Sequence, residues 1–208
     1  MNVRQIFGSL ACGAVLLTGV AACSDKSPEK AETSKSGTSD KANGGTDTAA
    51  APADLLKLGV EQGQAGNFDE AKATFDKVVA AESNNKFAWF NLGFIAQSRN
   101  QADEAISNYD KALAADATYK PALYNKAIVL ESKEPTTSMD IYRKVVSIDN
   151  KSSTAYLRLG LLLSQSGDDA AARDAFKAAI RLDKKLTSSV PAKYRAVPAA
   201  SSSARTGR

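Results

Sequence analysis

The chain contains few of the residue types that carry out catalysis. It has no histidine, so it lacks the commonest general base, the commonest metal ligand and any Ser-His-Asp or Cys-His arrangement. Neighbouring carboxylates do occur, at Asp69-Glu70, Asp103-Glu104 and Asp168-Asp169. Each pair falls at the start of a predicted helix, where acidic side chains complement the helix dipole. Without a glycine-rich phosphate loop or a calcium-loop spacing, the sequence predicts no catalytic residue, metal ligand or cofactor, and no enzyme.

Both cysteines lie near the N-terminus, at positions 12 and 23. Arg4 precedes an uncharged and mostly apolar run from Ile6 to Ala22, and Cys23 follows that run directly. A positive start, a short apolar region and small residues at its end are typical of a secretory signal peptide. An uncleaved signal anchor is the alternative, because about 17 apolar residues reach the lower limit for a membrane span. Both interpretations place the rest of the chain outside the cytoplasmic membrane.

The end of the apolar run, Val20-Ala21-Ala22-Cys23, resembles a bacterial lipobox. The resemblance implies that lipoprotein signal peptidase removes residues 1–22 and that the thiol of Cys23 carries a diacylglycerol. Cys12 would then be lost with the signal peptide, so the mature chain would keep no thiol for a disulfide, a metal or a nucleophile. The prediction is a protein anchored by lipid to the cell membrane, on its extracytoplasmic side or facing the periplasm.

Charge and composition separate the remaining chain into three parts. Residues 24–51 hold no large apolar side chain and are rich in Ser, Thr, Lys, Gly and Ala. Such a segment cannot bury enough surface to offset its ordering entropy, so we predict a disordered linker over residues 23–51 that reaches about 30 Å. Residues 52–186 carry 18 basic and 18 acidic residues, whereas residues 187–208 carry four basic and no acidic ones. A nucleic-acid reader would show a basic stripe on the folded part, so no nucleic-acid partner is predicted.

Four segments within residues 52–186 repeat one another at spacings of 34, 34 and 33 residues. One set of equivalent positions is Leu58-Gly59, Leu92-Gly93, Lys126-Ala127 and Leu159-Gly160. An aromatic set is Phe75, Tyr109, Tyr142 and Phe176, and an acidic set is Glu82, Asp116, Asp149 and Asp183. Repeats of this period are typical of solenoids, whose units stack because none can bury its apolar face alone.

The repeats resemble the tetratricopeptide repeat. Repeat two reads AWFNLGFIAQSRNQADEAISNYDKALAAD and repeat one ends FDEAKATFDKVVAAE, with the family's order of aromatic, Leu-Gly, Ala, aromatic, Ala and closing acid. The resemblance implies an all-α fold, a right-handed α-solenoid of about four helix pairs, or eight helices. It places the repeats at residues 52–85, 86–119, 120–152 and 153–186. Small residues such as Gly93 are expected where the two helices of a pair approach closely.

Two parts of the chain depart from the repeat pattern. In repeat three, Lys126 replaces leucine and one residue is missing before Tyr142, but we expect an intact helix pair in which Lys126 keeps its ammonium in water. After the fourth repeat, Leu186, Val190 and Tyr194 are spaced for one face of a short helix that caps the last repeat. The remainder of residues 187–208 reads as a disordered basic tail.

In this family the ligand lies along the first helices of the pairs. The resemblance therefore implies a partner-binding groove formed by Leu56, Val60, Phe87, Phe90, Phe94, Tyr124, Ile128, Leu157 and Leu161. The second helix pair is informative, because Trp89, Leu92 and Ala96 already make one apolar stripe and the phenylalanines make a second. A helix with two apolar faces must be covered on both, by a partner, by neighbouring helices, by the cap or by a second copy.

These observations predict an adaptor or scaffold of the bacterial cell envelope, anchored to the membrane, that binds an apolar peptide or helix of an unidentified protein. Some tetratricopeptide domains bind acidic chaperone tails through a clamp of Lys and Asn side chains. That clamp needs polar residues where this chain has Leu56, Val60, Phe90 and Phe94, and Asn91 with Asn125 does not rebuild it. The alternative function is a self-associating structural module, a homo-oligomer whose groove is filled by its own chain or by a second copy.

Overall fold

The computed structural model describes residues 51–195. The predictions for the signal peptide, for Cys23, for the linker up to residue 50 and for the tail from residue 196 concern residues outside this part. Within residues 51–195 no helix combines the length and the apolar character needed to cross a membrane.

Eight α-helices follow one another from residue 52, and no strand occurs among the described residues. They are α1 (Pro52–Gln64), α2 (Phe68–Ala81), α3 (Lys86–Ser98), α4 (Ala102–Ala115), α5 (Lys120–Leu130), α6 (Pro135–Ile148), α7 (Ser153–Gln165) and α8 (Asp169–Leu182). The all-α fold and the number of helices are those predicted from the repeats.

The described helices belong to two compact units, which divide between Glu82 and Ser83. The first unit contains α1 packed on α2. In the second unit α3 packs on α4, α5 on α6 and α7 on α8, while neighbouring pairs meet through α4 with α5 and α6 with α7. We refer to α3, α5 and α7 as the inner helices of the second unit, because each is the first helix of its pair.

Short turns join the two helices of a pair where the sequence places polar and small residues. Gly66 and Gly167 have φ values of 83° and 87°, and Asn100 occupies the equivalent turn of the second pair with φ 59°. Glycine adopts this left-handed region without a steric penalty, and asparagine is among the few other residues that enter it routinely. The third pair uses Pro135 as the first residue of α6 instead, where its missing N–H costs no hydrogen bond.

Small residues in the first helix of a pair face an aromatic ring in the second. A Cβ atom added to Gly93 would lie 2.6 Å from Cδ1 of Tyr109, and the same substitution at Gly59 and Gly160 would reach Phe75 and Phe176 at 2.7 Å. Each of these three rings is fully buried. The repeated small and aromatic positions therefore form one structural feature, the closest approach of the two helices.

Replacing Gly93 by leucine is expected to lower the free energy of unfolding by about 1–3 kcal/mol, because the new side chain overlaps the Tyr109 ring. The melting temperature should fall by several degrees, which thermal unfolding followed by circular dichroism would measure. Ala114→Leu is the matched control, since Ala114 is exposed on α4 of the same pair and accepts the same side chain without overlap. Equal melting temperatures for the two variants would show that the helix register at Gly93 is wrong.

The third pair is intact despite its departures from the repeat pattern. Ala127 and Tyr142 are fully buried, as are the residues at the equivalent positions of the other pairs. Lys126 differs from the expectation, because its ammonium lies 2.5 Å from Oδ1 of Asp110 in the preceding helix and is not held by water alone. An ion pair thus occupies the position that Leu92 and Leu159 fill with buried leucine side chains.

A short segment after α8 covers the last helix pair, as predicted, but not as the single short helix that the spacing of Leu186, Val190 and Tyr194 indicated. It consists of a 3-10 helix (Lys184–Ser189) and a four-residue helix, α9 (Ala192–Arg195), separated at Pro191. Val190 and Tyr194 are buried in the same core cluster as Phe176, with Leu186 packed against it. The Tyr194 ring lies 4.9 Å from that of Phe176, centroid to centroid. This cap replaces the helix that a further repeat would supply.

Candidate protein-binding surface

The structure separates the nine predicted groove residues into two groups. Val60, Phe90 and Leu157 expose only 4%, 2% and 8% of their surface, so these three residues belong to the core and cannot contact a partner. Their prediction as groove residues is wrong. The other six are half-buried, and they are Leu56 in the first unit and Phe87, Phe94, Tyr124, Ile128 and Leu161 in the second.

Phe90 is buried by two tyrosines from neighbouring elements. Its ring centroid lies 5.9 Å from that of Tyr109 in α4 and 5.6 Å from that of Tyr119, which directly precedes α5. Ala105, Ala112 and Ala122 complete this core cluster. Of the alternatives given above for covering the second apolar face of α3, neighbouring helices cover Phe90. Phe87 and Phe94 remain partly exposed.

The half-buried apolar residues of the second unit follow the repeat. Phe94, Ile128 and Leu161 occupy equivalent positions in α3, α5 and α7, and Tyr124 lies one turn before Ile128 on the same face of α5. We call the five residues Phe87, Phe94, Tyr124, Ile128 and Leu161 the inner-helix surface. Its side chains stand on helices with buried opposite faces, so their backbone positions are fixed by the core.

The start of α3 holds an aromatic and charged cluster beside Phe87. The Phe87 and Tyr119 rings meet edge to face with centroids 5.7 Å apart, and the Lys86 ammonium lies 5.3 Å and 5.2 Å from the two centroids. That ammonium is 2.6 Å from Oδ2 of Asp116. Hydrogen bonds from Lys86 and Thr118 lower the pKa of Asp116 to about 2, and burial raises the pKa of Tyr119 to about 12. Asp116 is therefore ionised and compensates Lys86 at neutral pH.

A set of phenol hydrogen bonds, not anticipated from the sequence, runs along the C-terminal turns of the inner helices. Tyr109 donates to Oε1 of Gln97 at 2.6 Å, and Tyr142 donates to Oε1 of Glu131 at 2.6 Å. In the fourth pair the ring at the equivalent position is Phe176, which has no hydroxyl. The cap supplies one instead, because the Tyr194 hydroxyl donates to the Asp169 carboxylate and lies 2.9 Å from Oγ of Ser164, which can donate to it. Polar side chains at or just after the C-terminal turns of all three inner helices are thus held in place.

Glu131 also forms an ion pair with Arg158 of α7. Nη1 of Arg158 donates to Oε1 and Oε2 of Glu131 at 3.1 Å and 3.0 Å, and the two side chains are 27% and 16% exposed. Partial burial by itself lowers the pKa of the Arg158 guanidinium, but the Glu131 carboxylate together with the Tyr142 and Tyr124 hydroxyls outweighs this effect and the pKa is raised. Arg158 therefore carries its full charge, neutralised locally by Glu131.

Asn91 on α3, Asn125 on α5 and Arg158 on α7 are at equivalent positions of the repeat. The Asn91 and Asn125 side-chain amides donate to the carbonyl oxygens of Phe87 and Pro121 in their own helices, at 2.8 Å and 3.0 Å. One N–H of each amide is thereby used within the fold, and Asn91 is fully buried. Among residues 51–195 no cluster of three or more His, Cys, Asp or Glu side chains is placed to hold a metal ion.

Comparison with known proteins agrees with this geometry. Residues 56–120 and residues 153–186 each match the tetratricopeptide repeat family. The chain matches no curated protein sequence. Its fold is similar to a crystal structure of MamA, at 25% identity with a TM-score of 0.62, covering 68% of this chain and 83% of that one.

Two further solved structures share the fold. The first is YrrB, described as a tetratricopeptide-repeat protein with an unusual peptide-binding site, at 19% identity and a TM-score of 0.59, with 64% of this chain and 70% of that one covered. The second is PilF of Pseudomonas aeruginosa, at 25% identity and a TM-score of 0.59, with 66% and 64% covered. Residues 56–120 and 153–186 are therefore tetratricopeptide repeats, and the eight helices of this chain have the fold of a tetratricopeptide-repeat solenoid.

Proposed function

We propose that the protein is an adaptor of the bacterial cell envelope that holds a segment of another protein on its inner-helix surface. The observation that carries the proposal is the set of five half-buried apolar side chains, repeated on α3, α5 and α7. Tyr124, Ile128 and Leu161 pack in part against the core and keep the rest of their surface accessible. Partly exposed apolar side chains arranged together on rigid helices are typical of interaction sites. Aromatic residues, three of the five here, are also enriched at such sites because each buries a large area.

The comparisons support binding of protein partners in preference to catalysis. Tetratricopeptide repeats present extended surfaces to other polypeptides, and YrrB, which shares the fold, is described as having a peptide-binding site. PilF, another protein of this fold, comes from a bacterium. These likenesses concern architecture, so the identity of the partner rests on the surface chemistry of this chain.

Self-association is the alternative function. Asp54 and Glu61 are exposed on α1, but Leu58, on the same face of that helix, is 44% exposed. An exposed leucine gives a second copy an apolar contact outside the inner-helix surface. Mass measurement of the purified chain separates the two functions, because a monomer supports the adaptor and a dimer supports self-association.

Site-specific photo-crosslinking tests the proposed capture in cells. A photoreactive benzoylphenylalanine in place of Phe94 should form a covalent adduct with one envelope protein, because that ring position faces the partner. The same residue in place of Ala114, exposed on α4, is the matched control and should form no such adduct. Adducts of equal yield from both positions, or only adducts of this chain with itself, would contradict the adaptor function.

The lipid anchor is proposed from the sequence alone, on the lipobox-like residues that end at Cys23. Changing Cys23 to alanine should abolish incorporation of a clickable fatty acid and leave a precursor that keeps its signal peptide, because the acceptor thiol is gone. Gel mobility and fluorescence of the labelled chain would measure both effects. Cys12→Ala is the control and should label normally. Fatty-acid incorporation that persists without Cys23 would refute the lipoprotein assignment.

A further inference from the structure

The charges on the inner helices of the second unit are all compensated within the fold. Their basic residues are Lys86 on α3, Lys120 and Lys126 on α5, and Arg158 on α7. Each has a carboxylate within 3.1 Å, supplied by Asp116, Asp149, Asp110 and Glu131 respectively. The helical stretches themselves contain no acidic residue. A partner on the inner-helix surface therefore meets no net charge.

Two of these four pairs adjoin the inner-helix surface. Lys86, paired with Asp116, lies 5.3 Å from the centroid of the Phe87 ring. Arg158, paired with Glu131, hydrogen-bonds with Tyr124 of that surface and is three residues before Leu161. Both hydrogen bonds to Glu131 leave from Nη1, so Glu131 and Tyr124 together use only part of the donor capacity of the guanidinium.

This combination suits a neutral hydrogen-bond acceptor. A carboxylate on the inner-helix surface gains little from Arg158, because Glu131 already neutralises the guanidinium at 3.0 Å, and the carboxylate would lose part of its hydration there. A main-chain carbonyl loses less hydration, and an extended segment presents such carbonyls with no partner of their own. We propose that the inner-helix surface binds an uncharged, apolar peptide segment, that Arg158 donates to its main chain, and that Glu131 excludes acidic segments.

This proposal rests on the proposed function and assigns to Glu131 the role of a specificity-determining residue. It predicts that selectivity follows the charge on residue 131 and not its shape. Glu131→Gln keeps an oxygen that accepts from Tyr142 but removes the negative charge, so Arg158 becomes an uncompensated cation. Glu131→Gln combined with Arg158→Gln removes both charges and restores a neutral surface.

The experiment uses the full chain, purified in detergent, as the target. Random 12-residue peptides displayed on phage are selected for binding to it. Peptides selected by the wild type should be apolar and depleted of Asp and Glu. Placing two glutamates in a selected peptide should weaken its binding to the wild type. The E131Q variant should bind that acidic peptide about tenfold more tightly than the wild type does, as expected for a hydrogen bond to a charged group. The difference should shrink in 0.5 M salt.

The double variant separates electrostatics from structural damage, because E131Q/R158Q should lose the gain in affinity for the acidic peptide, while its affinity for the neutral peptide should fall below that of the wild type since the Arg158 donor is gone. Melting temperatures of all three proteins should be measured alongside. An unchanged preference in E131Q, or acidic peptides selected by the wild type, would overturn the role of Glu131 while leaving peptide binding intact. Selection of no peptide would overturn peptide capture itself. A dimer that must dissociate before peptide binds would assign the surface to a second copy and also overturn the proposal.

Discussion

Replacing Phe90 by alanine is expected to lower the free energy of unfolding by about 3–5 kcal/mol. The ring is 98% removed from solvent and packs against the rings of Tyr109 and Tyr119, so its loss leaves a cavity between α3, α4 and the residue preceding α5. Much of the 5–15 kcal/mol that typically holds a domain together would be lost. Urea unfolding followed by circular dichroism would measure the change.

Phe94→Ala is the matched control for Phe90→Ala, because it truncates the same side chain one turn later on the same helix. Phe94 is half-buried and should cost clearly less, since part of its ring is already in contact with water. The comparison therefore distinguishes core from surface within one helix. Equal losses of stability for the two variants would show that Phe94 is also a core residue, and the inner-helix surface would have to be redrawn.

The repeat pattern made most of the fold predictable. Gly93 and Tyr109 recur as a small and an aromatic residue because the helices of a pair must approach closely at that point. The repeated positions depend on short-range spacing, which a sequence shows directly. The cap was predictable only in part. Leu186, Val190 and Tyr194 do cover the last pair, but they do not share the single helix that their spacing predicted, because the chain breaks at Val190 and Pro191 between a 3-10 helix and α9.

The division between core and surface within α3 was not predictable from spacing. Phe87, Phe90 and Phe94 lie on one face, but only Phe90 is covered on all sides. The burial of Phe90 depends in part on the Tyr119 ring, which packs against it. Tyr119 lies in the turn before α5, and the sequence does not indicate that a ring at this position packs back onto α3. Trp89 shows the converse, because it was expected in the buried stripe and is half-buried, with its indole N–H donating to the Ser83 carbonyl.

The polar contacts of the inner helices left a signal in the sequence that can be recognised once the structure is known. Where the second helix carries tyrosine, at Tyr109 and Tyr142, the inner helix carries the acceptors Gln97 and Glu131. Where it carries Phe75, the residue at the acceptor position is Gly63. The tyrosine and the acceptor can be related to each other only when the helix pairing is known, because they lie on different helices of a pair.

Loss of partner binding is the second large effect expected. Replacing Phe94 and Ile128 together by serine should weaken binding of the protein that crosslinks at position 94 by a factor of about 30 or more. This factor corresponds to the 2 kcal/mol typical of a residue that dominates an interface. The two residues occupy equivalent positions on α3 and α5, so the double change interrupts the inner-helix surface at its centre. Both are half-buried and Ile128 packs against the core cluster, so the melting temperature should fall while the fold survives.

The measurement that tests the adaptor function most directly is the dissociation constant of that partner, determined by isothermal titration calorimetry. It should be made for the wild type and for the Phe94→Ser, Ile128→Ser double variant, with a melting curve of each protein. The result expected is a cooperative melt at a somewhat lower temperature than the wild type, with the folded state intact at the temperature of the titration, together with binding weakened by about 30-fold or more. Unchanged affinity in the folded variant would place the partner elsewhere on the chain and contradict the assignment of the inner-helix surface.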